Sequence, residues 1–172
     1  FLREATLSIN GRHIGTGNPC FIIAEIGNNH QGDLDLAKKL IRQAKASGAD
    51  SAKFQLRDLE ALYMLDATGS RHDLDLGTQY TLDLLTKFQL GIDDLYKTFD
   101  YCHEIGIQPL CTPWDHNSVD KLEAYGMPAY KVSSADLTNH DLIVKIASTG
   151  KPLICSTGMT TDADIRETID LL

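Results

Sequence analysis

Two lysines sit inside apolar, strand-like segments. Lys53 lies in Ser51-Ala52-Lys53-Phe54-Gln55-Leu56 and Lys131 in Ala129-Tyr130-Lys131-Val132-Ser133. Side chains alternate across a strand, so Lys53 and Gln55 share one face while Ala52, Phe54 and Leu56 share the other. Lys131 is likewise flanked by Tyr130 and Val132 on the opposite face. Two cations directed into one interior repel each other unless an anion lies between them. A single lysine at a strand end reads as a side chain snorkelling to water. Two of them, aligned with the hydroxyls of Thr112, Ser133, Ser134, Ser156 and Thr157, point to a bound phosphate or carboxylate. Glu25 interrupts another apolar run, Cys20 to Ile26. A buried carboxylate needs a partner. Ion pairing to Lys53 is one role for it; orienting or deprotonating a water is the other.

The remaining chemistry-bearing residues add little. His13, His30, His72, His103, His116 and His140 include no pair at H-x-x-x-H spacing, so the local sequence assembles no metal site. His103, His116 and His140 read as surface groups on or at the start of helices. Trp114 and Met159 follow strands and are expected to pack in the core or line a pocket. Cys20, Cys102, Cys111 and Cys155 form no C-x-x-C pair, which excludes a zinc ribbon or thioredoxin motif. They are expected to be reduced, buried thiols of a cytoplasmic protein.

The elements that must hold these residues alternate in type. Apolar runs at Cys20–Ile26, Ser51–Leu56, Gln108–Thr112, Ala129–Ser133 and Pro152–Ser156 predict strands. Leu36, Ala37, Leu40, Ile41 and Ala44 recur at helical spacing, with Asp33 as N-cap and Gly48 as stop. Helices ending at Gly106, Gly126 and Gly150 follow the next three strands, and Ile165, Ile169 and Leu172 open another. A short hairpin, Leu7 to Ile14, precedes them within a lead-in of residues 1–19. Strand–helix alternation means a parallel α/β sheet, either doubly wound or a β/α (TIM) barrel. Gly27-Asn28-Asn29-His30 is not a G-x-G-x-x-G fingerprint. Polar residues close all five strands, as a barrel mouth requires. Residues 20–172 are therefore expected to supply about five of eight barrel units, as the N-terminal part of a longer protein. The long insertion from Arg57 to about Gly91, helical near Tyr80–Phe88, is expected to shape the site.

Composition removes whole classes. The chain has 172 residues with 16 Lys+Arg against 24 Asp+Glu, a net charge of −8, which argues against nucleic acid as a partner. Hydrophobic residues make up 42%, enough for a sizeable core. No apolar run approaches the length of a membrane span.

Several segments resemble the sialic acid synthase family. Ile23-Ala24-Glu25-Ile26-Gly27-Asn28-Asn29-His30-Gln31-Gly32-Asp33 is similar to its first-strand signature, and Lys53-Phe54-Gln55 to its second strand. Thr112-Pro113-Trp114-Asp115, Tyr130-Lys131-Val132-Ser133-Ser134-Ala135-Asp136 and Ser156-Thr157-Gly158-Met159 resemble its third to fifth. The resemblance implies a barrel enzyme that condenses phosphoenolpyruvate with N-acetylmannosamine or a related N-acetylated amino sugar. It implies that Lys53, Thr112, Lys131, Ser134 and Ser156 contact phosphoenolpyruvate and that Gln55 contacts the sugar. Glu25 and Asp136 would stand near the reacting centre. It also implies a homodimer and a divalent metal, Mn2+ or Mg2+, polarising the aldehyde from ligands beyond Leu172. The chain departs from the family at Ser133-Ser134-Ala135-Asp136, where bacterial members often have Gly-Ser-Gly-Glu. It also has Arg71-His72-Asp73 where they carry a loop Asn. Both departures concern the sugar. Alternatives are another phosphoenolpyruvate-dependent sugar-acid synthase, with Arg57 and Arg71 meeting a second phosphate, and a Schiff-base aldolase using Lys131. A third is a non-catalytic binding module.

Overall fold

The computed structural model describes residues 7–62 and 76–172. Strands β1 (Leu7–Ile9) and β2 (Arg12–Ile14) pair antiparallel as a hairpin. Five strands follow: β3 (Ile23–Glu25), β4 (Ser51–Leu56), β5 (Gln108–Pro113), β6 (Tyr130–Val132) and β7 (Leu153–Cys155). They form one parallel sheet in the order β3-β4-β5-β6-β7. That order separates the two architectures left open by the sequence. Doubly wound sheets reverse direction at a switch point. A strictly sequential order with right-handed crossovers puts every helix on one side and curls the sheet into a barrel arc.

The helices are α1 (Leu34–Ala46), α2 (Leu59–Leu62), α3 (Leu76–Phe88), α4 (Ile92–Glu104), α5 (His116–Tyr125), α6 (His140–Ala147) and α7 (Asp162–Leu171). Asp33 caps α1 by accepting from the Leu36 amide, and Gly48 ends it in the left-handed region at φ 84°. α3 begins at Leu76, four residues before the helical stretch expected from Tyr80. Ala52, Phe54, Leu56, Cys111, Tyr130 and Val132 form the sheet side of the main core. Ala37, Ile41, Leu95, Phe99, Val119, Leu122, Leu142 and Ile146 meet them from the helices. Phe99 packs edge-on against Phe54 and Tyr125.

The other face of the sheet is divided along its length. Near the strand starts, Ile9 of the hairpin is buried with Leu110 and Ala129. Ile14, Phe21, Ile23 and Ile154 pack around them. By alternation these strand residues share a face with Glu25, Thr112, Lys131 and Ser156, one step nearer the mouth. The hairpin thus closes the floor beneath the polar residues.

Three expectations change. The run Cys20–Ile26 does not form a strand covered on both faces: only Ile23–Glu25 is strand, Cys20 is exposed and Ile22 is 53% exposed. Side chains hold the rest of the run. Asp50 accepts from the Ile22 amide at 2.7 Å and pairs with Arg12, which also reaches the Cys20 carbonyl. Cys102 and Cys111 are buried as expected, but Cys155 is only partly buried. Met159 is 73% exposed, so it neither packs in the core nor lines a pocket. No helix among the described residues is long and apolar enough to cross a membrane. Arg71, His72 and Asp73 lie outside the described residues.

Candidate active site

Glu25, Lys53, Gln55, Thr112, Lys131, Ser134 and Ser156 line a single cavity of about 180 Å³ at the C-terminal ends of the five strands. Trp114 and Ser133 complete its wall. Ladder register explains the convergence. Glu25 is opposite Lys53, and Gln55 is opposite Thr112. Cys111 is opposite Tyr130, which sets Thr112 beside Lys131. Side chains one strand apart on the same face and level meet over the mouth.

Lys53 is only 8% exposed. Its ammonium pairs with Glu25 and lies 3.4 Å from Thr112 Oγ1. Glu25 is not the buried group its sequence context implied, because its side chain is half exposed at the edge of the cavity. It therefore serves Lys53 as a counter-ion while keeping access to solvent. Lys131 is half-buried and donates to the Val132 carbonyl. Burial, and then the neighbouring charge of Lys53, hold its pKa below the usual lysine value. That direction is what two cations sharing one hollow produce. An anion between them would supply the missing countercharge.

The backbone turn after β3 is built for close approach. Gly27 has φ 53°, and a Cβ there would stand 3.2 Å from Glu25 Oε1 and 3.3 Å from Gln55 Nε2. Both Ile26 and Gly27 donate to the Lys53 carbonyl, at 2.9 and 3.0 Å. His30 is buried in the same turn, accepts from the Gly32 amide through Nδ1 and stacks on Phe54. It is a structural residue, and its Gly/Asn setting gave no sign of that.

Asp136 does not join the set. After Ser133 the chain enters a 3-10 turn, Ser134–Asp136, which ends strand alternation. Asp136 Oδ1 accepts from Asn139 at 3.4 Å, and burial raises its pKa above the usual carboxylate value. It is not among the residues lining the cavity. Two neighbours make contacts that the sequence reading did not assign to them. Asp115 caps α5 by accepting from Ser118 N at 2.7 Å, and it also accepts from the Asp58 amide at 2.7 Å. It thereby ties the segment after β4 to the segment after β5. Arg57 lies over the Trp114 ring, 4.0 Å from its centroid. An Arg two residues past Gln55 was the available signal. Among the described residues, no three His, Cys, Asp or Glu gather in a way that could hold a metal ion.

Comparisons with known proteins agree with this fold. N-acetylneuraminate-9-phosphate synthase of Homo sapiens is 39% identical over 153 residues, which cover 87% of this chain and 42% of that protein. N,N'-diacetyllegionaminic acid synthase of Legionella pneumophila is 36% identical over 167 residues, 94% of this chain and 46% of that protein. The chain thus spans about half the length of the curated relatives it matches. The crystal structure of N-acetylneuraminic acid (sialic acid) synthetase from Leptospira borgpetersenii, in complex with citrate, superposes with a TM-score of 0.85. The match has 26% identity and covers 98% of this chain and 55% of that one. The sequence model of the NeuB family matches residues 40–172. Those residues hold four of the five sheet strands and every cavity residue except Glu25, and by that match the chain belongs to the NeuB family.

Proposed function

We propose that this chain carries the phosphoenolpyruvate half-site of a nonulosonic (sialic) acid synthase. The reaction condenses phosphoenolpyruvate with N-acetylmannosamine or a related N-acetylated amino sugar and releases phosphate. One observation carries the reading: Lys53 and Lys131, from strands separated by β5, converge on one cavity ringed by Thr112, Ser133, Ser134 and Ser156. Two cations and several hydroxyls suit a small dianion with a carboxylate and a phosphate.

The roles follow from the charges. Lys53 and Lys131 hold the anion and offset its charge as the bond to phosphate breaks. The enol carbon attacks the aldehyde carbon of the open-chain sugar, and cationic character develops on the phosphate-bearing carbon. Water adds there. Glu25, at the cavity edge and open to solvent, orients that water and takes its proton. Phosphate leaves by C–O cleavage. Gln55 contacts the sugar. When bound, a divalent metal, Mn2+ or Mg2+, would polarise the sugar aldehyde as a Lewis acid, held by residues expected past Leu172. The working protein would be a cytoplasmic homodimer, and the 172 residues alone would be inactive.

The test is phosphate release by the full-length protein with phosphoenolpyruvate plus N-acetylmannosamine. Release that requires both substrates supports the reading; none with any N-acetylated amino sugar refutes it. The lowered pKa of Lys131 favours a second reading, a Schiff-base aldolase, since a neutral amine is the nucleophile. Pyruvate would then form an imine with Lys131, losing water, and borohydride would reduce it to a stable secondary amine; the synthase reading expects no adduct.

A further inference from the structure

Arg57 follows β4 directly, and its guanidinium is held from two sides. It lies over the Trp114 ring, 4.0 Å from the centroid. Its Nη2 donates to Gln55 Oε1 at 2.6 Å. Its backbone is held as well, because Gln89 Nε2 donates to the Arg57 carbonyl at 2.9 Å. Its charge also lowers the pKa of Asp136, opposing burial. Two of its partners, Gln55 and Trp114, line the cavity.

A guanidinium carries donors only. The Gln55 carboxamide can meet it only with its oxygen. Which way an amide points is ordinarily decided by its hydrogen-bond network, and here Arg57 decides it. Oxygen turns toward Arg57, and nitrogen turns toward the turn at Gly27. There Gln55 Nε2 lies 3.3 Å from the place of a Gly27 Cβ, and Glu25 Oε1 lies 3.2 Å from the same point. A donor and an acceptor therefore border one small space at the cavity edge. A hydroxyl, which accepts from one and donates to the other, satisfies both. With the amide reversed, two acceptors would face that space, and an ammonium or other pure donor would suit it better.

We propose that Arg57 is a positioning residue that locks Gln55 as a hydrogen-bond donor, so that Gln55 and Glu25 together read a hydroxyl of the acceptor sugar. The proposal rests on the synthase reading for the identity of the sugar. The amide orientation itself rests only on the Arg57–Gln55–Trp114 geometry. Arg57 touches no reacting atom, and its effect passes through Gln55. Lysine keeps the charge and a donor but lacks the planar fork that stacks on Trp114.

The experiment uses the full-length protein with phosphoenolpyruvate and N-acetylmannosamine. Arg57→Met should raise KM for the sugar about tenfold, the scale of one lost or misdirected hydrogen bond. KM for phosphoenolpyruvate should stay within about twofold, because the lysines are untouched. Arg57→Lys should recover part of the loss. In a Gln55→Ala background, Arg57→Met should change the sugar KM by less than about twofold, since nothing is left to position. A tenfold effect that persists in that background overturns the proposal and makes Arg57 a direct ligand contact. An unchanged sugar KM in Arg57→Met overturns it too. A second measurement needs no turnover. In 15N-glutamine-labelled protein, the Gln55 carboxamide signal, assigned by its loss in Gln55→Ala, should move in Arg57→Met. If it does not move, the positioning role fails whatever the enzyme makes. If it moves while the wild type releases no phosphate, only the synthase reading fails.

Discussion

Replacing Lys53 by Met removes one charge from the cavity and keeps most of the stem. The kinetic and stability consequences should separate. For ligand binding, Lys53 offers a charge-assisted contact from a site that is only 8% exposed. Losing such a contact costs about 1.5–3 kcal/mol, or about 10- to 150-fold in kcat/KM for phosphoenolpyruvate. For the unliganded fold, the loss is small. The Glu25 side chain left behind is half exposed and can hydrate, so the broken ion pair is worth about 0–1 kcal/mol. Removing Lys53 also relieves Lys131, whose pKa it holds down. The net change should stay within about 1 kcal/mol, a Tm shift of no more than about 4 °C for a chain of this size. Lys131→Met should show the same kinetic loss with equal or higher stability, because it deletes the cation that burial and Lys53 disfavour. Steady-state kinetics with phosphoenolpyruvate varied, alongside thermal melts of the full-length protein, measure both. Wild-type kcat/KM combined with a Tm many degrees lower in both variants would refute the reasoning. The lysines would then be structural ion-pair partners.

Gly27→Ala should lower stability by about 1 kcal/mol, the cost of a side chain in the left-handed region. It should also lower activity, because the new Cβ displaces Glu25 and Gln55; melts and kinetics check this, and an unimpaired kcat would contradict it. Burial holds the pKa of His30 below its ordinary 6.5, so its contribution to stability is complete above pH 6.5 and is lost as pH falls through the folded-state value. Urea midpoints should therefore drop on acidification more steeply in the wild type than in His30→Gln, and equal slopes would dismiss the histidine. Iodoacetamide near pH 8 should label exposed Cys20 first. Cys102, its thiol pushed up to about 12 by burial, and the more deeply buried Cys111 should stay unlabelled until urea unfolds the protein.

Much of the site was legible because strand alternation is a two-valued signal. Lys53 with Gln55, and Lys131 between Tyr130 and Val132, could face only one way once their neighbours were seen to be apolar. Ser134 and Ser156 followed because both stand just past strand ends. Asp136 lies off the cavity lining for the matching reason: alternation stops at Ser133, and a 3-10 turn does not continue it. Cys20 and Ile22 were misread because an apolar run does not reveal which of its residues pair; Asp50, 28 positions beyond Ile22, decides that. The burial of His30 was hidden because it depends on Phe54 of β4, brought near by the turn after β3; the Asp115 cap is local to Ser118, and only its second bond, to the Asp58 amide, is long-range. Arg57 was noticed as a cation but not as the neighbour of Gln55, because a contact between side chains two residues apart at a strand end depends on how the chain leaves the sheet.

The hairpin under the strands has a consequence for traffic. Ile9, Leu110, Ala129 and Ile154 stopper the end of the hollow opposite its mouth, so beneath these five strands its floor is apolar and packed. Glu25 stands level with Lys53, and Gln55 with Thr112 and Lys131, so these polar groups all lie between the apolar plug and the mouth. The plug also leaves the field of the two ammonium groups no watery exit below, so their pull is felt chiefly at the opening from which a charged visitor comes.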